Sequence, residues 1–458
     1  MNRIKLILLS NLFVLNVLSA HDALVSLTRG VYKTLQIDTV VEALRKTALI
    51  SASVEISPDD AIVVGSDGRF YPVAGKLSAL VQIECNGRLA SNEAVINWAA
   101  SQYPVQHSYS VIGAWSGFDG NVTCSLMGIA LFPEGNASFA VGATSNLYIT
   151  IIPNTGSMRV SGNLLRADSR PYQFDVKPDQ TPLPSYPALS VTTGATGLSG
   201  PVVVFAAGRS YVSDGYYGDA VWFIYNNVNG SGATDRQEVM HTDNDLSPGA
   251  ESGNAPMYTH AFFPSSENSL VSNVTLAASA EAWNHASGDN TVHYIIGATT
   301  TLVSFTGAAV SGRVPWIDGA IPIGNSYYVC VGSDCAWPGC PPITGNGHIF
   351  IPSTLFEVPA NHSGIVFFSF KSLIQGESND IGGYLAAQII IDGNPVGNLA
   401  VQQLSTPDSI STRTLSASWS SAENPLGAGL HTISVIVHIV GKFAQLYLGA
   451  QLPLVWFG

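Results

Sequence analysis

Apolar runs of strand length, each cut short by glycine, proline or an Asp-Gly pair, recur along this chain and limit its fold more than any other feature. The plainest lie in the last hundred residues. Ile365-Val366-Phe367-Phe368-Ser369-Phe370 is one, and Leu385-Ala386-Ala387-Gln388-Ile389-Ile390-Ile391, closed by Asp392-Gly393, is another. Two more cover residues 430–438 and 444–448. Such β-branched and aromatic runs between turn residues predict antiparallel strands of a β-sandwich. Weaker copies of the plan stand earlier. Val202-Val203-Val204-Phe205 parallels the run at 365, and Asp219-Ala220-Val221-Trp222-Phe223-Ile224-Tyr225 parallels the run at 385. In the first copy, Val81, Ile83 and Cys85 alternate with Gln82 and Glu84, the pattern of a half-buried strand.

The expected architecture is therefore all-β: tandem jelly-roll-like antiparallel β-sandwiches with a short N-terminal helix. A chain of 458 residues is long enough for about three domains. We place sandwiches at residues 75–155, 201–305 and 359–458. A Pro-rich linker at 156–200 and a Cys-containing connector at 306–358 join them. Residues 21–74 form a leader in which Ile37, Val40, Val41 and Leu44 recur at helical spacing, predicting an amphipathic helix. After it, Asp67-Gly68 lies between two apolar runs and predicts the turn of a hairpin. Residues 1–20 have the order of a secretory signal peptide: basic Arg3 and Lys5, an apolar stretch at 6–18, then Ser19-Ala20. This predicts export, with no membrane span left after signal removal, and places the mature protein at an extracellular surface.

Charge narrows the function classes. Charged residues are 11% of the chain and the net charge is −13. Nucleic-acid binding needs clustered Lys and Arg, and no basic stripe is present. Of the five cysteines, Cys85 and Cys124 fall in the first sandwich, while Cys330, Cys335 and Cys340 cluster in the connector. In an oxidising compartment these read as disulfide candidates with one thiol left over. A zinc site is disfavoured because the cluster has no CxxC pair.

Catalytic patterns are absent: the chain has no GxSxG, HExxH or phosphate-binding glycine loop. We expect no enzymatic activity and no cofactor. His431, at the start of a strand run, reads as a hydrogen-bonding edge residue rather than a base. Asp243 and Asp245, beside His241, supply too few oxygens for a Ca²⁺ site and read as a solvated turn. Trp98, Trp222, Trp283 and Trp419 read as sandwich core more readily than as sugar platforms. The best glycan-binding candidates are Tyr211, Tyr216 and Tyr217 beside Asp214 and Asp219, where aromatic faces accompany carboxylates. Asn-x-Ser/Thr sequons mark Asn121, Asn136, Asn229, Asn273 and Asn361 as glycosylation candidates in a secreted eukaryotic or viral protein.

One phrase carries a family likeness. Ile391-Asp392-Gly393-Asn394-Pro395-Val396-Gly397, followed by Leu426-Gly427-Ala428-Gly429-Leu430-His431-Thr432-Ile433-Ser434-Val435, resembles two groups of jelly-roll domains. One is the TNF/C1q-like type of phage and bacterial surface fibres, and the other is the β-sandwich carbohydrate-binding module. The first implies trimeric or filamentous assembly, and the second implies glycan binding. No catalytic residue comes with either. The expectation is thus a secreted, non-enzymatic subunit of an adhesive fibre, filament or spike that self-associates. A glycan-binding protein and a viral capsid or spike component are the alternatives.

Overall fold

The apolar runs fold as strands. The computed structural model describes residues 30–153 apart from 99–105, 132 and 134. Beyond them it describes the strands named here and residues 299–300, 392–393, 421–423 and 425–428. Within residues 30–153 lie β1 (Gly30–Thr34), β2 (Thr39–Glu42), β3 (Lys46–Ile56), β4 (Asp60–Ala74), β5 (Leu77–Cys85), β6 (Arg88–Leu89), β7 (Ala94–Trp98), β8 (His107–Ser116), β9 (Gly120–Leu131), β10 (Ser138–Val141) and β11 (Asn146–Pro153). Next come β12 (Met158–Leu164), β13 (Tyr172–Val176), β14 (Ser185–Thr192), β15 (Val202–Val212), β16 (Tyr217–Asn226), β17 (Gly253–Phe263), β18 (Asn273–Trp283), β19 (Val292–Ile296) and β20 (Thr301–Gly307). The remainder holds β21 (Arg313–Pro315), β22 (Tyr327–Val331), β23 (Pro342–Ile343), β24 (Gly347–Phe350), β25 (Thr354–Val358), β26 (Ser363–Gln375), β27 (Tyr384–Ile391), β28 (Asn394–Gln403), β29 (Ile410–Ser420), β30 (Gly429–Val440), β31 (Phe443–Leu448) and β32 (Gln451–Phe457).

The all-β expectation holds: among the described residues there is no helix, and the strands form stacked, mainly antiparallel sheets. The largest sheet runs β1-β11-β4-β8-β28-β27-β30-β24 and carries β2, β10 and β25 off that path. It holds strands from both ends of the chain. They join where Gln402 of β28 pairs with His107 of β8.

Its centre is buried on both faces, which explains the unbroken apolar run Ala61-Ile62-Val63-Val64. Alternate residues of β4 point opposite ways. Ile62, Val64 and Phe70 pack with Val54, Val81, Ile83 and Leu126 from the sheet of β3, β5 and β9. Ala61 and Val63, with Ile112 of β8 and Tyr148 of β11, pack with Val203 and Phe205 of β15, Tyr258 of β17 and Phe305 of β20. Three β-layers therefore stack around β4 and β8. The Phe205 and Phe305 rings meet edge to face, 5.7 Å between centroids.

The N-terminal helix is not formed. Residues 39–42 are β2, paired with β10 through Val40↔Ala140 and Val41↔Phe139. An isolated helix of three turns is marginal in water, and β-branched Val40 and Val41 fit a ladder better. The side chains alternate: Val41 is buried and Val40 is exposed. Leu44 takes a positive φ of 58°, which no helix accommodates.

The Asp67-Gly68 hairpin is not formed either. Both residues lie mid-strand in β4, opposite Ser110 and Tyr109 of β8. Glycine is needed at 68 because a Cβ there would sit 2.1 Å from Ser145 Oγ and 2.7 Å from the Tyr109 hydroxyl. The Asp-Gly pair at 392–393 does make its turn. Ile391 pairs with Asn394 across it, and φ is 49° at Asp392 and 77° at Gly393, the two positive values of a type I′ hairpin.

Candidate functional site: a buried polar node

Where the layers cross, a group of polar side chains replaces hydrophobic core. Asp67 stands at its centre, 1% exposed. Facing it across the β4–β8 ladder, Ser110 donates its hydroxyl to Asp67 Oδ1 at 2.5 Å. Ser418 of β29 donates its hydroxyl to Asp67 Oδ2. The backbone of Asp67 is engaged as well: its N–H donates to Asn146 Oδ1 at 2.8 Å, and its carbonyl accepts from Asn398 Nδ2 of β28. One residue thus ties β4 to β8, β11, β28 and β29.

Ser110 extends the node to the third layer. Its backbone N–H donates to the Tyr258 hydroxyl on β17 at 2.7 Å. Its carbonyl accepts from Asn92 Nδ2, and Asn92 Oδ1 accepts the N–H of Ile112 at 2.9 Å. Beside them, the Thr301 hydroxyl of β20 donates to the Ile112 carbonyl at 2.9 Å. At the rim, Arg209 of β15 and Glu93 approach to 3.6 Å.

Burial dominates the electrostatics. It pushes the Asp67 carboxyl up to about 7, against the hydrogen bonds from Ser110 and Ser418 that favour the charged form. Burial also raises Glu423, whose Oε2 accepts the Gly397 N–H at 3.0 Å. Tyr32, Tyr109 and Tyr148 are raised in the same way and remain neutral phenols. Asp67, Ser110 and Ser418 are all buried, and both serine hydroxyls are committed to the carboxylate. Among the described residues, no three His, Cys, Asp or Glu gather as a metal site.

A second polar contact sits at the surface, on the Asp392-Gly393 turn. His431 Nδ1 lies 2.6 Å from Asp392 Oδ2, and His431 Nε2 lies 2.8 Å from the Gly427 carbonyl. Asp392 Oδ1 accepts from the Thr432 N–H at 2.8 Å. Two acceptors on one imidazole favour its doubly protonated form. Burial lowers the His431 pKa, but the Asp392 and Gly427 acceptors outweigh it and the net shift is upward. Asp392 is held low, chiefly by that bond. The hydrogen-bonding reading of His431 thus gains definite partners, although the residue is not on a free edge, being paired with Phe356 of β25.

Cys85 and Cys124 form a disulfide, directly opposite each other on β5 and β9. Cys330 lies in β22, and Cys335 and Cys340 fall outside the described residues. Trp419 is buried as core, its indole N–H unpartnered. Tyr211 lies on β15, and Tyr217 and Asp219 lie on β16, with Asp219 opposite Glu281; their side chains are outside the description. Tyr216, Asp214, Asp243, Asp245, Asn229 and Asn361 fall outside the described residues. Asn121 and Asn136 are exposed, and Asn273 is the first residue of β18. The node itself escaped the sequence reading. Its one signal was Asp67 standing between the apolar residues 61–64 and Phe70, where a turn explained it equally well.

No protein-family model and no curated protein matches the sequence. Among solved structures, similarity is found to the infectious bursal disease virus VP2 subviral particle, at a TM-score of 0.24 and 9% identity over 91% of this chain and 82% of that one. The Gt strain of the same virus gives 0.26 and 10% over 91% and 83%. T=1 particles derived from that virus give 0.25 and 9% over 92% and 82%. These are virus-particle proteins, and an overlap this low carries no argument about what the present chain does.

Proposed function

We propose that this protein is a non-enzymatic building block that self-associates into an ordered extracellular particle, either a shell of the capsid kind or a fibre. The carrying observation is the edge at β2. Val40 on β2, Ile37 before it and Leu44 after it stand 49, 73 and 85% exposed. Among the described residues β2 pairs with β10 alone. An apolar strand edge left open is a template for pairing with a second chain. With 11% charged residues, few charged groups have to be desolvated where copies meet.

The buried packing of layers behind that edge supports the reading, since a lattice needs subunits that keep their shape. The names of the similar virus-particle structures agree with a shell, without weight in the choice. The finer likeness to TNF/C1q-like fibre domains belongs to the same proposal. So does export: the Cys85–Cys124 bond suits an oxidising compartment. Sequencing the mature N-terminus separates an exported, processed subunit from a shell assembled without export.

The test is sedimentation of the purified protein at micromolar concentration, alongside a V40K/L44K variant. The parent sediments as an oligomer or larger, and the variant, whose new charges repel across the edge, shifts to monomer. A monomeric parent contradicts the proposal.

A further inference from the structure

Asp67 is a carboxylate where the fold offers every reason for a neutral residue. It is buried where the layers cross, and among the described residues no cation pairs with it. Its two oxygens are met by hydroxyls from β8 and β29. The titratable groups that feel its charge, among the described residues, are Tyr32 on β1, Tyr109 on β8, Tyr148 on β11 and Glu423 after β29; Arg69 is two residues along its own strand. The Coulombic influence acting on Asp67 is that of Glu423, which opposes ionisation. Arg69 turns instead to Gln106 and toward Asp38. On β28 the neighbour is neutral Asn398.

We infer that Asp67 is a protonation-sensitive interlock, its charge state setting how firmly β28 and β29 are held against β4 and β8. Neutral, Asp67 offers a proton to one serine and accepts from the other, and the seam is closed without a buried charge. Ionised, it leaves a charge in low dielectric beside Glu423. The raised Asp67 and Glu423 carboxyls give one sign. A folded-state value above the unfolded one means the stabilising contribution is complete below the unfolded value, about 4. It is lost as pH rises through the folded value, near 7 for Asp67. The seam tightens in mild acid and loosens above neutrality. This inference concerns regulation of the fold and stands whether or not the chain assembles.

Hydrogen-exchange protection of the β28 and β29 backbone tests it, corrected for intrinsic exchange. Between about pH 6 and about pH 8 their protection falls roughly tenfold, while the β3–β9 pair, away from the node, keeps its own. In D67N, which is neutral at every pH, the fall is reduced to the smaller share left to Glu423. Equal loss in both proteins, or loss spread evenly over all sheets, overturns the inference. Should D67N fail to fold, infrared spectroscopy of the parent decides. A carboxylic acid C=O band that persists at about pH 6 and titrates near 7 supports the interlock, and its absence refutes it.

Discussion

Breaking the Cys85–Cys124 bond gives the sharpest numerical prediction. The two residues are 39 apart in sequence, so the bond closes a loop of that size in the unfolded chain. The chain-entropy relation then gives about 13 cal/mol/K, or roughly 4 kcal/mol at room temperature. The neighbouring turn is independently held. Asn86 takes a positive φ and accepts the Thr123 N–H at 2.9 Å, so the hairpin survives loss of the bond. In C85A/C124A both buried sulfurs are removed and only the β-methyls remain, and the loss of packing adds to the entropic effect. At about 2–4 °C per kcal/mol the melting temperature falls by roughly 8–16 °C in scanning calorimetry. Circular dichroism of the variant retains the β spectrum. A fall below about 2 °C would refute the reasoning, since it would mean the unfolded chain already keeps these strands together.

The surface clasp at His431 and Asp392 has a bounded pH window. Its contribution is complete between about pH 4 and about 6.5, lost upward through the raised histidine and downward through the lowered aspartate. Because Asp392 is largely exposed, H431Q shifts stability by less than about 1 kcal/mol and flattens the loss above neutrality; a thermal scan at several pH values reads both. Phe205→Ala, at the contact of the large sheet with the β15 layer, costs about 3–5 kcal/mol by denaturant titration, and an unchanged midpoint would contradict the layered packing. Gly68→Ala forces a methyl onto Ser145 and Tyr109 and lowers stability by about 1–3 kcal/mol in the same titration.

The strands could be read from the sequence because their cause is local. Alternation from Val81 to Cys85 and the Asp392-Gly393 turn each act over a few residues, and β5, β27 and β28 lie where those signals put them. The N-terminal helix misled because Ile37, Val40, Val41 and Leu44 also satisfy a helical period. What decided between the two was the partner strand β10, almost a hundred residues away, which a short window does not contain. The node was hidden for the same reason on a larger scale. Asp67 receives its hydrogen bonds from Ser110, Asn398 and Ser418, which are 43, 331 and 351 residues distant. By its local sequence Asp67-Gly68 reads as a turn, and only pairing with distant strands makes it the buried centre of one.

Negative-stain electron microscopy of the natively purified protein bears most directly on the proposal of self-association through an open apolar edge. The account predicts regular closed shells or filaments of repeating subunits, dissolved by V40K/L44K. Fields of dispersed single particles of about 48 kDa at micromolar loading would contradict it.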